Sequence, residues 1–276
     1  MLDQSPDYSI TFACLNAVDV TRRCVQSLID AGTPLERVVV VDNASNDGTR
    51  AFLDGQGFGQ VLYNRRNLGC GTAWNQGALA RQSEWTIVMN NDVLVAPGWA
   101  GGLIAAAEQH DLRIASPAMV EGDADYDFQD LAARHAERAR GYARIGWAHA
   151  VCMCIHESVF AEIGYFRPTP SLLGFEDTIF FNDARRAGIR LGAVGDVWIH
   201  HLGSITQKQM KLERGLSLDD ELSLHDKRRL LGQSWMARKL ERGRRKRDDA
   251  QARRHELERF DFSLLGQRVD GRFVWR

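Results

Sequence analysis

Short apolar runs alternate with amphipathic segments over the first third of the chain. Four such runs are predicted strands: 9–15, 37–41, 60–63 and 85–89. One of them, RVVVV, has the continuous apolarity of a strand that is buried on both faces. Helical spacing of apolar residues marks two segments: 20–31 and 71–81. Strands that alternate with helices predict an α/β domain with a mostly parallel sheet.

The second half of the chain continues this pattern less regularly. Three segments are predicted strands: 148–155, 190–194 and 197–201. Two segments are predicted helices: 157–163 and 176–187. From residue 219 onward the pattern is helical and strongly charged. Because no internal repeat or low-complexity linker separates these parts, we expect one domain followed by a C-terminal appendage.

The composition bounds the class of protein. The 276 residues are 44% hydrophobic and 26% charged, which is typical of a globular protein and excludes collagenous, disordered and disulfide-scaffold classes. No apolar run reaches about 18 residues, so no transmembrane helix is expected. The first residues, MLDQSPDYS, lack the pattern of a signal peptide. Five cysteines, an odd and low number, favour a reducing cytoplasm.

The formal net charge of −1 conceals an uneven distribution of charge. Residues 238–276 contain 13 Lys and Arg residues against 7 Asp and Glu residues, whereas residues 1–237 contain 22 against 29. The basic tail is either a solvated helix or a surface for an anionic partner, namely the inner face of a membrane or a nucleic acid. Apolar Trp235, Met236 and Leu240 suit an interfacial helix, and they equally suit packing on the body or in a homo-oligomer.

Polar residues follow three of the predicted strands. They are Asn16, the pair Asp42-Asn43 and the triplet Asn90-Asn91-Asp92. Ligands of open α/β sheets bind beyond the carboxyl ends of the strands, so these clusters would line one crevice. There the Asp42 carboxylate would accept hydrogen bonds from a base or ribose, and Asp92 would bind a divalent cation that bridges phosphates. The alternative is that all three are ordinary turn residues.

A glycine-containing segment, Asn67-Leu68-Gly69-Cys70-Gly71, precedes the second predicted helix, which contains Asn75. Glycine lets a backbone approach a ligand closely, and a helix N-terminus favours phosphate. The segment is not the dinucleotide-binding fingerprint, because it lacks the third glycine and does not follow the first strand. We therefore consider Asn67, Gly69 and Asn75 as candidate ligand-binding residues, although this segment alone does not indicate a particular ligand.

Two pairs of titratable residues stand near the ends of later elements. Glu176 and Asp177 begin a predicted helix, where they either complement the helix dipole or supply a general base and a group that orients the substrate. His200 and His201 end a predicted strand. Either histidine would be a metal ligand beside Asp92, or both are structural.

These motifs together resemble the family 2 inverting glycosyltransferases, in particular bacterial rhamnosyltransferase-like members. The matching segments are CLNA (14–17), VVVDNASNDGT (39–49), NLGCGTAWNQG (67–77), MNNDV (89–93), GFEDTIFFNDARRAGIRL (174–191) and VWIHHLGS (197–204). The resemblance spans roughly residues 9–206. It implies a GT-A fold, an α/β architecture with a mostly parallel central sheet flanked by helices, to which the charged helical extension is added.

The resemblance also implies donor-binding roles. Asp42 matches the carboxylate that contacts the nucleobase, and Leu15 and Asn16 line the same pocket. Asn67 and Gly69 match the segment beside the nucleotide. The donor implied is a nucleotide-diphosphate sugar with UDP or dTDP as the nucleotide. The acceptor implied is a glycan or lipid-linked molecule that contacts residues 119–147 and the loop 168–173, and a nucleic-acid acceptor is not excluded.

The metal and catalytic roles follow in the same way. Asn90, Asn91 and Asp92 occupy the D-x-D position of the family, where Asp92 would bind Mn²⁺ or Mg²⁺. Either His200 or His201 matches a histidine that joins the metal site in some members. In the E-D motif, Asp177 matches the catalytic base and Glu176 its neighbour.

Two residues depart from the family pattern. Asn90 replaces the first acid of D-x-D, which removes one charge from the metal site. His149 stands where many relatives have glycine, which changes the shape of the acceptor pocket.

We therefore predict a GT-A catalytic domain at 1–206, with its nucleotide-sugar half at about 1–115 and its acceptor half at about 116–206. A helical basic extension follows at 207–276. The expected location is the cytoplasm, with peripheral contact at the inner face of the membrane. Two other functions compete with a glycosyltransferase. A sugar-nucleotide nucleotidyltransferase would need a basic glycine-rich N-terminal signature, which SITFACLNAVDVTRR lacks, and the retained acids disfavour a non-catalytic binding module.

Overall fold

One mixed sheet is the centre of the fold. The computed structural model describes residues 6–169, 174–203 and 222–276, together with residues 211, 215 and 217. Within these residues the strands are β1 (Tyr8–Cys14), β2 (Val38–Asp42), β3 (Gln60–Tyr63), β4 (Trp85–Asn90), β5 (Val93–Leu94), β6 (Ile114–Gly122), β7 (Ala143–Ile145), β8 (Cys152–His156), β9 (Leu191–His201), β10 (Leu265–Val269) and β11 (Arg272–Trp275).

Helices connect and cover these strands. In the described part of the chain they are α1 (Val18–Asp30), α2 (Thr49–Asp54), α3 (Cys70–Ala80), α4 (Trp99–Gln109), α5 (Phe128–Arg138), α6 (Glu157–Ile163), α7 (Glu176–Arg186), α8 (Leu224–Leu231) and α9 (Trp235–Phe260). None of these helices combines the length and the apolarity that crossing a bilayer requires.

The sheet order is β11-β10-β6-β8-β4-β1-β2-β3. The strands β4, β1, β2 and β3 are mutually parallel, which confirms the prediction for the first third of the chain. Every residue of β2, VVVVD, is buried, as its continuous apolar run predicted. Beyond them, β8 lies antiparallel between β4 and β6, while β9 runs parallel to β6 and also pairs with β5 and β7.

Helices pack on both faces of the sheet because the side chains of β1 alternate. Ile10 and Phe12 are fully buried in the cluster that contains the apolar sides of α1 and α4. Thr11 points to the other face, where α3 lies very close. A Cβ atom placed on Gly77 of α3 would come within 1.8 Å of Thr11 Oγ1, so only glycine permits this approach.

Three predicted strands differ from those observed. The prediction at 148–155 becomes the shorter strand Cys152–His156, because the preceding residues form part of a cavity wall. The two predictions at 190–194 and 197–201 become one strand, β9. Its pairing with β6 shifts register between Pro117 and Ala118, so the apparent break in the pattern is an irregularity within a continuous strand.

The end of the chain contains helix and also strand. The helices α8 and α9 agree with the charged helical pattern, but β10 then pairs parallel to β6 and β11 returns antiparallel to β10. Asp270 and Gly271, with φ of 47° and 70°, form the turn between them. Phe262 and Leu264, which precede β10, are buried against β6, β9 and α5 in a third apolar cluster. The last residues therefore belong to the sheet of the body.

Candidate active site

A cavity of about 890 Å³ opens at the carboxyl ends of β1, β2 and β4. The strand register sets these ends level, because Cys14 pairs with Asp42 and Ala13 pairs with Asn90. The prediction that the polar residues after these strands meet at one edge of the sheet is thus confirmed. Only some of their side chains face the cavity.

Asp92 lies at this edge in contact with a histidine. It is 2% exposed, and its Oδ1 is 3.2 Å from Nε2 of His201. The antiparallel pairing of β5 with β9 places Val93 opposite His201. The side chain of Asp92, the residue before Val93, thereby comes close to the His201 ring. The other ring nitrogen of His201, Nδ1, is 3.5 Å from Oε1 of Glu121. Burial alone would lower the pKa of His201, but the two carboxylates outweigh it and raise the pKa to about 9.

His200 lies on the opposite side of β9, so the sequence-based alternative of His200 as a metal ligand is corrected here. Adjacent strand residues point to opposite faces, and only one of the two histidines is able to face Asp92. Nδ1 of His200 is 2.7 Å from the hydroxyl of Tyr126, and Nε2 is 3.0 Å from the carbonyl oxygen of Gly122. Burial lowers its pKa to about 4, so this ring is neutral near pH 7.

Glu176 and Asp177 form the floor of the cavity at the start of α7. The chain enters this helix through two residues with positive φ, Gly174 at 82° and Phe175 at 89°. Oδ1 of Asp177 accepts a hydrogen bond from the backbone N–H of Thr178 at 2.6 Å, and the other oxygen, Oδ2, is left for a ligand. Burial raises the pKa of both carboxyl groups above their usual values.

Cys70 connects the two groups of acids. Its thiol lies in the cavity wall, and burial raises its pKa well above the usual value, with further contributions from the charges of Glu176, Asp177 and Asp92. Asp92, which follows β4, and the two acids of α7 thus line the same cavity as Cys70. Gly71 makes this possible, because a Cβ there would lie 2.9 Å from the side chain of Glu176.

Five predicted donor residues line the cavity: Leu15, Asn67, Gly69, Asn90 and Asn91. Asn67 holds the glycine turn, since its Oδ1 accepts a hydrogen bond from the N–H of Gly69 at 2.9 Å. Asn91 is 3% exposed and donates from Nδ2 to the hydroxyl of Thr21 at 2.9 Å. Both asparagines therefore shape the backbone of the wall as well as facing the cavity.

Three other predicted donor residues lie behind the cavity surface formed by the described residues. Asp42 is fully buried, where it accepts hydrogen bonds from Nε of Arg50 at 2.7 Å and from the N–H of Ser45 at 3.2 Å. Asn16 accepts from a backbone N–H in the same loop. Asn75 binds both polar backbone atoms of Phe166, at 2.7 and 3.0 Å. These three residues hold the chain around the site through their hydrogen bonds, and their direct contact with a ligand stays a prediction.

Another part of the cavity wall comes from residues 144–151, which lead to the end of β4. His149, which departs from the family pattern, is held there because its Nε2 is 2.8 Å from the carbonyl oxygen of Pro117. Burial lowers its pKa to about 4. The guanidinium of Arg144 lies 5.2 Å from the ring centre of Trp147. Residues 170–173 of the predicted acceptor loop lie outside the described residues.

The basic helix α9 also lines the cavity, which the sequence analysis did not predict. Arg245, Lys246 and Ala252 contribute to its wall, and Arg185 of α7 lies beside them. A buried ion pair holds this helix in place: Arg144, 4% exposed in its side chain, binds Glu256, which is fully buried, at 2.5 Å. The sequence signal for this contact was an apolar residue spacing ending at Phe260, but nothing in it indicated which surface the helix covers.

The donor atoms near Asp92 suit a divalent metal ion. A carboxylate oxygen and an imidazole nitrogen lie side by side, and these are common ligands of such ions. Among the described residues, no group of three or more His, Cys, Asp and Glu side chains is arranged to hold a metal. The pair Asp92 and His201 would therefore supply part of a ligand set, with the rest left to a bound substrate.

Comparison with solved structures defines the class of fold. A structure of GalNAc-T7 with UDP, GalNAc and Mn²⁺ aligns with a TM-score of 0.56 over 72% of this chain and 44% of that one, at 17% identity. The mannosyltransferase PcManGT from Pyrobaculum calidifontis, in complex with GDP-Man and Mn²⁺, gives 0.55 at 16% identity over 77% and 61% of the two chains. TarS 1–349 from S. aureus, in complex with UDP-GlcNAc, gives 0.55 at 16% identity over 81% and 70%. The protein has the GT-A fold of nucleotide-sugar glycosyltransferases.

The sequence comparison then defines the family. Residues 9–162 match the family described as "Glycosyl transferase family 2", and the chain belongs to that family. The succinoglycan biosynthesis protein ExoO of Rhizobium meliloti (strain 1021) is 32% identical over 117 residues, which are 41% of this chain. The match covers 33% of ExoO, so the chain spans about a third of the length of this curated relative.

Proposed function

We propose that the protein transfers a sugar, with inversion, from a nucleotide-diphosphate sugar to a hydroxyl group of a glycan or related acceptor. The observation that carries this proposal is that Asp92 and Asp177 line one cavity at the carboxyl ends of the parallel strands. Membership of glycosyl transferase family 2 supports it, as do fold neighbours bound to UDP-GlcNAc or GDP-Man. The rhamnosyltransferase-like branch and a UDP or dTDP donor remain part of the proposal.

The donor would occupy the side of the cavity at the strand ends. Leu15, Asn67 and Gly69 would surround the nucleotide, and Asn90 and Asn91 would lie beside the diphosphate. Asp42 would act indirectly, since its carboxylate is already bonded to Arg50 and to the loop that follows β2.

Asp92 and His201 would hold Mn²⁺ or Mg²⁺ together with the donor diphosphate. Solved structures of two fold neighbours, GalNAc-T7 and PcManGT, contain Mn²⁺, which supports a divalent cation. A cation in this position would supply positive charge where the leaving diphosphate develops negative charge. Glu121, on the far side of the His201 ring, would orient that ring and raise its basicity.

Asp177 would be the general base. The acceptor hydroxyl would approach the anomeric carbon from the face opposite the diphosphate and give its proton to Oδ2 of Asp177 as the new glycosidic bond forms. The raised pKa of the carboxyl group strengthens it as a proton acceptor, and the hydrogen bond from Thr178 fixes its direction. Glu176 would orient the acceptor from its neighbouring position. A single displacement of this kind inverts the anomeric centre.

The first test is the substitution Asp177→Asn. We expect a loss of transfer of about 10²-fold or more, the lower range of general-base catalysis, with donor binding nearly unchanged. The fold should persist, because an amide oxygen still accepts the hydrogen bond from Thr178. Transfer is measured as product formation, and donor affinity by calorimetric titration.

The matched control for this test is Asp183→Asn on the same helix. Asp183 forms a partly exposed ion pair with Arg167 and does not belong to the cavity wall, so transfer should be retained. Full turnover of Asp177→Asn would contradict the assignment of the base. Loss of donor binding in that variant would show that Asp177 belongs to the donor site instead.

A peripheral membrane contact is a second part of the proposal. The start of α9 exposes Trp235, Met236 and Leu240 by 57, 66 and 72% beside a row of cations. Exposed apolar side chains next to basic ones are the pattern of an interfacial helix. The acceptor of such an enzyme would be presented at an anionic surface.

Co-sedimentation with vesicles tests this contact. We expect binding to anionic vesicles, weaker binding to neutral vesicles, and loss of binding in the double variant Trp235→Ser, Leu240→Ser. Leu79→Ser, which changes a leucine that is 52% exposed on α3, should bind as the unaltered protein does. Absence of binding to both kinds of vesicle, or binding to duplex oligonucleotides alone, would contradict the membrane contact.

A further inference from the structure

Two cations on the cavity wall, Arg185 and Lys246, form no ion pair with any described residue. Arg185 extends from the last turn of α7, and Lys246 from the middle of α9. The guanidinium of Arg185 lies 5.8 Å from the ring centre of Phe181, which also lines the cavity. Both side chains line the cavity, and no carboxylate of the described residues is within ion-pair distance of either, although Glu241 is near enough to raise the pKa of Arg185.

The acids near these cations already have other partners. On α9, Glu241 pairs with Arg245, Asp248 with Arg244, and Asp249 with Arg144. These three carboxylates are therefore neutralised by cations of α9 itself or by Arg144 of β7. The positive charges of Arg185 and Lys246 are what the cavity presents to a ligand on this side.

The charged form of Arg185 is disfavoured by its surroundings. Burial and, to a smaller extent, the charge of Arg245 lower its pKa to about 10, against a smaller opposite effect of Glu241. A half-buried guanidinium beside a second cation is unfavourable unless an anion joins them. Because guanidinium groups bind carboxylate and phosphate in a two-pronged geometry, such an anion would gain strong hydrogen bonds here.

The position of Arg185 relative to the proposed base indicates which substrate carries the anion. Arg185 follows Asp177 by eight residues on one helix, which corresponds to about 12 Å along the helix axis. The donor side of the cavity, with Asp92, is formed by the strand ends and not by α7 or α9. The two cations thus belong to helices of the cavity wall, one of them the helix that carries the base, and not to the strand ends.

We propose that Arg185 and Lys246 form a subsite for an oxyanion on the acceptor, so that the preferred acceptor is a saccharide carrying a carboxylate or phosphate group beyond the reacting hydroxyl. This inference rests on the proposed glycosyl transfer and names the acceptor class for it. The anion on the acceptor would neutralise the two cations and orient the hydroxyl toward Asp177.

The test uses the full chain loaded with Mn²⁺ and with whichever nucleoside diphosphate stabilises it most. Three probes share one sugar ring: methyl β-glucoside, methyl β-glucuronide and methyl β-glucoside 6-phosphate. We expect the glucuronide, the phosphate or both to bind about tenfold or more tightly than the neutral glycoside, as charge-assisted hydrogen bonds would give. The two anionic probes distinguish an acidic sugar from a phosphorylated one.

Single substitutions show which residues cause the preference for the anionic probe. Arg185→Gln and Lys246→Gln should each reduce the preference for the anionic probe several-fold and leave nucleotide binding unchanged. The control is Arg247→Gln, since Arg247 is exposed on the same helix but outside the cavity wall. Its preference should match that of the unaltered protein.

Three outcomes would overturn the subsite. They are equal or undetectable binding of the three glycosides, an anionic preference that both variants retain, and variants that weaken the nucleotide instead, which would assign the cations to the donor diphosphate. A failure of the proposed function is distinguishable from these. In that case the unaltered protein would bind no nucleoside diphosphate with Mn²⁺ in the loading step.

Discussion

Burial determines the chemistry of the acid pair that begins α7. Asp177 and Glu176 stand at a helix N-terminus, a position where the helix dipole stabilises carboxylates. Desolvation outweighs that effect and raises the pKa of both groups. A carboxylate with a raised pKa holds an abstracted proton more strongly, which suits the proposed general base.

The raised pKa predicts the acid limb of the pH profile. A general base acts only when it is ionised, so the rate of transfer should fall as the pH falls through the raised pKa of Asp177. This decline should therefore occur at a pH above the usual aspartate value of about 3.9. It is measured as kcat/KM against pH, with nucleotide binding followed over the same range to separate losses at the donor site. A flat profile down to that usual value would contradict the assignment.

The two histidines show that a difference of one position along a strand decides which side chain contacts Asp92. The sequence presents His200 and His201 as equivalent candidates, and only the pairing of β5 with β9 places His201 against Asp92. His200 then faces Tyr126 and a backbone carbonyl. The alternation was visible in the sequence, but the face toward the cavity was not.

At the level of helices and strands, the contact between β7 and α9 is the one that completes the cavity. Glu256 is fully buried, and its two oxygens accept hydrogen bonds from Arg144 at 2.8 and 2.5 Å. It also accepts from the hydroxyl of Tyr142 and from the N–H of Leu264. One carboxylate thereby connects β7, α9 and the segment that leads to β10.

Replacement of this carboxylate predicts a large loss of stability. Glu256→Gln would remove the buried counter-ion of Arg144 and leave only the half-exposed Asp249 beside the guanidinium; breaking a comparable buried pair costs about 3–5 kcal/mol. The free energy of unfolding is measured by denaturant titration. Glu258→Gln, two residues away and exposed, should change it by less than about 0.5 kcal/mol. A small effect at Glu256 would show that α9 docks independently of this pair.

In the folded molecule the basic segment is not separate from the acidic body. The basic segment is separate from the acidic body in sequence, but α9 covers the cavity and β10 and β11 extend the body's own sheet. Arg245 and Lys246 of the segment thus line the same cavity as Asp92 and Asp177. A cavity lined by acids and cations suits the proposed donor bound through a metal ion and the proposed anionic acceptor.

Removal of the last two strands tests whether the segment is integral to the body. Deletion of residues 265–276 would expose the edge of β6 and uncover Trp198, which packs against Trp275. We expect the free energy of unfolding to fall by about 3 kcal/mol or more and the protein to aggregate, since edges and apolar clusters become exposed. Thermal and denaturant unfolding measure this loss.

A point variant serves as the control for this deletion. Val274→Thr alters a half-exposed side chain of β11 and keeps both strands, so stability should change little. An unchanged midpoint in the deletion would show that the strands are dispensable.

Local patterns of the sequence were sufficient for the first part of the fold. The apolar runs at β1, β2 and β4 and the glycine and acidic motifs predicted a parallel sheet with polar residues at one edge. The sequence contains one further local signal, which the predicted strands did not include. Asp270-Gly271 between two strands is a strong hairpin pattern. The pairing of β10 with β6 was not predictable in that way, because its partners are more than 140 residues apart in the chain.

The sequence by itself determined the strands β1 to β4, the helices α1 and α3, the family resemblance and the residue types at the strand ends, because these depend on spacing along the chain and on local chemistry. Only the tertiary structure decided that Asp42 bonds to Arg50, that His201 and not His200 meets Asp92, and that α9 supplies part of the cavity wall. These outcomes depend on contacts between distant segments, on burial and on which face each strand turns inward. The periodicity of one segment contains no information about its distant partner.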